Sequence, residues 1–102
     1  MPRAFLVCAS LLAAPAAHAA GDVEYGEYLS SQCVTCHQAS GADKGIPPIL
    51  GWDEEAFAAV MQSYKTKERE HPVMRMIAGG LDAEQIEALA AYFATFDPEK
   101  AQ

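Results

Sequence analysis

Beyond residue 20 the apolar positions recur at three- and four-residue intervals, the spacing of helix faces rather than the alternation of strands. VEYGEYLSSQ (23–32) brings Val23, Gly26, Tyr28 and Leu29 toward one face and predicts a helix that runs straight into CVTCH (33–37). GADKGIPPILG (41–51) holds three glycines and two prolines, which forbid a regular helix, so this stretch is loop. Asp53 then caps a helix through about Tyr64, with Phe57, Val60, Met61 and Tyr64 on one side. After the charged turn KTKERE, Pro72 suits a first helical position, and Gly79-Gly80 ends the short helix it begins. Asp82 with Gln85 three residues on makes a capping-box pattern, and Ile86, Leu89, Ala90 and Phe93 form a continuous apolar stripe on the last helix. No segment reads as a strand. The pattern predicts an all-α domain of three to four short helices.

The first residues follow a different pattern. MPRAFLVCASLLAAPAAHAA has Arg3 as a short basic region, an apolar stretch from Ala4 to Ala14, and small residues at Ala17 and Ala19. This is the form of a secretory signal cleaved after Ala19, and its apolar stretch is well short of the ~20 residues a spanning helix needs. Residues 1–19 are therefore expected to be a signal peptide and residues 20–102 the exported, periplasmic domain. Cys8 falls inside the leader, so two of the three cysteines remain after processing.

Processing leaves 83 residues, a size at which a hydrophobic core alone gives little stability and a staple is usually needed. The chain has 14 acidic and 7 basic residues, and the loss of Arg3 takes its net charge from −7 to −8. Nucleic acid and anionic membranes are poor partners for such a surface, which serves solubility or the steering of a basic partner.

CVTCH is the stretch that carries chemistry, and three readings compete for it. A structural zinc site wants four protein ligands, and after processing only His71 offers a fourth nitrogen or thiolate beside Cys33, Cys36 and His37. A redox dithiol of the thioredoxin kind wants its C-x-x-C beside a βαβ pattern, which is missing. Attachment of a c-type haem needs two thiols to add to the two vinyl groups of one porphyrin and the next residue to offer an imidazole to the iron, which is what C-x-x-C-H supplies. Export agrees with the third reading, since bacteria attach haem covalently outside the cytoplasm. A large apolar disc bonded at two points also provides the missing staple.

With His37 on one side of the iron, the sixth position decides the function. A thioether there raises the reduction potential and restricts the iron to electron transfer, whereas a vacant or displaceable site admits ligand-sensing or peroxidase chemistry. The methionines of the processed chain are Met61, Met74 and Met76. Met61 lies on the apolar side of the middle helix and reads as core filler. Met74 and Met76 are two apart on a helical turn and cannot both face the iron. His71, before a proline in a charged turn, is the remaining candidate.

Together CVTCH, GIPPILG and VMRMIAGGLDAEQIEALAAYF resemble a class I cytochrome c, more narrowly the single-haem relatives of cytochrome c4 and of the cytochrome subunit of flavocytochrome c sulfide dehydrogenase. The likeness runs from about Tyr25 to Phe96. It implies that a helix carrying Gly26 and Leu29 crosses a helix carrying Leu89 and Tyr92. It also places the axial thioether at Met74 rather than Met76, and puts the Pro47 carbonyl where it accepts the proton on the far nitrogen of His37, fixing the ring and raising its basicity. Trp52 stands where the family more often has a polar residue. Its indole either reaches a haem propionate or fills the haem edge. The resemblance further implies a one-electron carrier rather than an enzyme, with redox protein partners such as a flavoprotein dehydrogenase as donor.

Overall fold

The computed structural model describes residues 3–4, 21–43 and 45–96, so the expected leader, residues 3 and 4 apart, lies outside the described residues. Four helices follow in order: α1 (Val23–Val34), α2 (Glu54–Lys65), α3 (Pro72–Gly79) and α4 (Ala83–Ala94). Among the described residues there is no strand, and the all-α expectation holds.

Each helix starts at a side chain that satisfies a first-turn donor otherwise left without a partner. Asp22 accepts from Tyr25 N–H at 3.2 Å, Asp53 from Ala56 N–H at 3.0 Å, and Asp82 from Gln85 N–H at 2.8 Å. The expected capping box is complete, because the Gln85 side chain accepts from Asp82 N–H at 2.9 Å. α3 is the exception to the carboxylate pattern. His71 caps it, with Pro72 at its first position.

The core gathers around α4. Ile86, Leu89 and Phe93 are wholly buried, and Leu29, Phe57, Met61 and Leu81 close over them. α1 crosses α4 at Gly26, where a Cβ would lie 2.0 Å from the Ala88 carbonyl oxygen and 2.6 Å from Tyr92 Cβ, so only glycine permits the approach. Phe57 packs on Phe93 with ring centroids 5.5 Å apart, seating α2 on the same helix. The loop before α2 is pinned at Gly51, whose φ of 78° favours glycine and whose N–H donates to Phe93 O at 2.9 Å.

The buried face of α1 differs from the expected one. It consists of Gly26, Leu29 and Ser30, while Val23 is exposed and Tyr28 is 77 % exposed. Tyr28 follows Gly26 by two residues, about 200° around the helix. It stacks instead on Tyr25 at 6.5 Å.

Candidate functional site

The helical path of α1 is prolonged into the CVTCH turn. The N–H groups of Cys36 and His37 both donate to the Cys33 carbonyl, at 3.2 and 2.8 Å, which keeps the thiols and the imidazole together at the end of the helix. All three border a cleft with about 790 Å³ of empty space, part of it open to solvent. Its other walls are Pro47, Ile49 and Trp52 from the loop, Phe57, Val60, Met61 and Tyr64 from α2, and Val73, Met74 and Ile77 from α3.

His37 Nδ1 lies 2.7 Å from the Pro47 carbonyl oxygen. A carbonyl only accepts, so Nδ1 carries the proton and the neutral ring keeps its lone pair on Nε2 for a metal. Trp52 is half-buried at the cleft wall and meets Phe57 edge-on, with centroids 6.3 Å apart at 81°. Met74 is half-buried on the cleft, whereas Met76 is 70 % exposed and points elsewhere. Met61 is buried and also borders the cleft, so the face of α2 read as packing is partly a cleft wall. His71 does not line the cleft. Its Nδ1 accepts from Met74 N–H at 3.2 Å, a role not read from the sequence, although a polar residue just before a helix-starting proline is a capping signal.

The donor set separates the competing chemistries. Burial pushes the Cys33 thiol up to about 11, away from the lowered values that make a dithiol reactive. Among the described residues, no group of three or more His, Cys, Asp or Glu side chains converges as a metal-ligating cluster. An almost wholly apolar slot bordered by two thiols, one imidazole with a free nitrogen and the thioethers of Met61 and Met74 fits a haem that is bonded through sulfur.

Four helices around such a slot define a haem-bearing domain. The family model for cytochrome c matches residues 23–97, and the chain belongs to the cytochrome c family. Its cofactor is a covalently attached c-type haem, and it is an electron carrier. The chain is 33 % identical over 89 residues to the thiosulfate dehydrogenase electron acceptor of Thiomonas intermedia, covering 84 % of this chain and 39 % of that protein. It is 35 % identical over 69 residues to the cytochrome subunit of sulfide dehydrogenase of Chlorobaculum tepidum, covering 67 % of this chain and 63 % of that protein. The chain thus spans about two fifths of the length of the first relative and rather less than two thirds of the second. Among the described residues, no helix is long and apolar enough to cross a membrane.

Proposed function

We propose that this cytochrome is a periplasmic one-electron carrier, made with a leader of residues 1–19, that accepts electrons from a dehydrogenase of inorganic sulfur compounds, such as a flavoprotein sulfide dehydrogenase. In this reading Cys33 and Cys36 form the two thioethers, and His37 and Met74 are the axial ligands. The haem supplies a ferrous/ferric couple that moves one electron at a time.

The observation that carries the reading is the pairing of a histidine whose Nδ1 is committed to Pro47 O, at 2.7 Å, with a half-buried methionine on the same apolar cleft. The Pro47 carbonyl holds the imidazole in one tautomer and increases its electron donation. The Met74 thioether favours the reduced state and fills the position that an outside ligand would take. Trp52 lines the cleft from the loop side, where an indole N–H is available to a propionate and the ring shields the haem edge from water. Val60, Phe57 and Ile77 keep the slot dry, which limits how far the surroundings rearrange when charge changes. The sulfur-compound donor rests on the two relatives, whose names join a cytochrome to a thiosulfate or a sulfide dehydrogenase.

Stopped-flow mixing of the ferric holoprotein with a sulfide-oxidising flavoprotein and sulfide tests this. The expected result is reduction of one haem per chain, much faster than sulfide alone achieves. Reduction no faster than by free sulfide removes the donor assignment. Rapid carbon monoxide binding by the ferrous protein would transfer the chain to the ligand-binding class.

A further inference from the structure

We propose that His71 is a positioning residue for Met74, holding the turn that carries the thioether by accepting the Met74 N–H on Nδ1. The inference rests on the reading of Met74 as an axial ligand and extends it to a residue outside the cleft.

α3 has only eight residues, a length at which a helix in water does not hold itself and its ends decide its placement. Pro72 brings no N–H to the first turn. The N–H of Met74 is the donor that finds a side-chain partner, His71 Nδ1 at 3.2 Å. The backbone of His71 is extended, at φ −173°, and its carbonyl accepts from Arg75 N–H at 2.9 Å, so one residue grips the turn by both its side chain and its main chain.

His71 is itself held from the side of the cleft. Its ring meets Tyr64 of α2 edge-on with centroids 6.3 Å apart, and Tyr64 is a cleft wall. Arg75, next to Met74, ties the same turn to the preceding loop through Lys67 O at 2.7 Å and Arg69 O at 2.9 Å, and pairs with Glu70 at 2.9 Å. Met74 therefore sits between two anchors, and the imidazole is the one that touches its own backbone.

The identity of the cap has a reason. The other three helices use Asp, a stronger cap and an anion. An imidazole that accepts on Nδ1 makes the same hydrogen bond without adding a carboxylate to the start of the methionine-bearing turn.

The test is competition by imidazole for the iron of the ferric holoprotein, read by optical titration in wild type, Met74→Ala, His71→Ala and His71→Asn. Imidazole must displace the sulfur, so its apparent affinity reports how firmly Met74 is held. Met74→Ala is expected to bind far more tightly than wild type. If the two bind alike, Met74 is not the ligand and the proposal falls with that reading. Given a tight Met74→Ala, His71→Ala is expected to bind imidazole about fivefold more tightly than wild type, the factor that one lost N-cap is worth. His71→Asn, a neutral residue among the best caps, is expected to return to within about twofold of wild type. A His71→Ala affinity equal to that of wild type overturns the proposal while leaving the ligand assignment intact. Failure of Asn to restore wild-type affinity also overturns it, since the contact with Tyr64 would then be what matters. If His71→Ala does not assemble, long-range nitrogen–proton correlation on ferrous wild type in mildly alkaline buffer decides. A His71 protonated on Nε2 and bare on Nδ1 supports the proposal, and a proton on Nδ1 ends it.

Discussion

The 2.7 Å contact between His37 Nδ1 and the Pro47 carbonyl joins the end of the thiol-bearing turn to a loop residue ten positions on. Ring orientation and ring basicity are thereby set by one backbone oxygen, held in place by a residue whose own φ is locked. Pro47→Ala keeps the oxygen but frees the loop. The imidazole then donates less electron density, the ferric state loses more than the ferrous, and the reduction potential is expected to rise. Spectroelectrochemical titration checks this, and a lowered potential contradicts it.

Met74 and Met76 are separated by exposure rather than by composition. Met74→Ala is expected to remove the weak long-wavelength sulfur-to-iron absorption of the ferric protein and to lower the potential. Met76 is 70 % exposed, and Met76→Ala is expected to leave the absorption in place and stability within about 0.5 kcal/mol of wild type. The opposite pattern would pass the ligand role to Met76.

With thioethers at both cysteines, acid-acetone extraction is expected to leave all the haem with the chain, and the intact mass to equal one haem plus residues 20–102. Cys36→Ser removes the bond at the more exposed position and is expected to lower the yield of holoprotein and its melting temperature together. Fully extractable haem, or two thiols open to alkylation in the folded holoprotein, would refute the attachment.

Two glycines predict opposite signs. A Cβ at Gly26 meets the Ala88 backbone at 2.0 Å, so Gly26→Ala must push α1 off α4 and is expected to cost at least about 1–3 kcal/mol in denaturant unfolding of the holoprotein. Gly79, at the end of α3, has nothing within 4 Å of its Cβ position. Gly79→Ala is expected to stabilise by about 0.4–1 kcal/mol through the entropy of the unfolded chain.

Local chemistry was the legible part of this protein. Asp53, Pro72 and the Asp82–Gln85 pair announce helix starts because capping depends on residues a few positions apart. CVTCH is equally local, and its spacing, with no βαβ pattern and only His71 as a further zinc ligand, ranks haem over zinc and dithiol. What depends on distant neighbours was harder to read. Periodicity marks the face of Phe57, Val60, Met61 and Tyr64 as apolar but not what covers it, and much of the cover proves to be a cleft. Tyr28 passes for a buried residue on hydrophobicity, yet its angle on the helix turns it to solvent. His71, a candidate ligand from the sequence, is exposed and off the cleft. Its capping bond depends on an extended backbone that no residue type announces. Gly79-Gly80 ends α3 as expected, though Gly80 does so at φ −86° rather than in a left-handed turn.

The crossing of α1 and α4 also closes the chain upon itself. Tyr25 Oη accepts from Gln85 Nε2 across 60 residues of sequence, and Gly26 meets Ala88 beside it, so everything from CVTCH to α3 belongs to a single large ring with a clasp. The cost of enlarging such a ring grows only with the logarithm of its length, each doubling adding about 0.6 kcal/mol. The clasp, by contrast, tolerates not one added carbon atom at Gly26. Variation in chain length is therefore cheap in the loop after CVTCH, where Ala39, Ser40 and Asp43 are exposed, and expensive at the crossing. A cytochrome built this way can change the outline it offers to a partner by lengthening that stretch while the clasp keeps the haem-bearing turn in register.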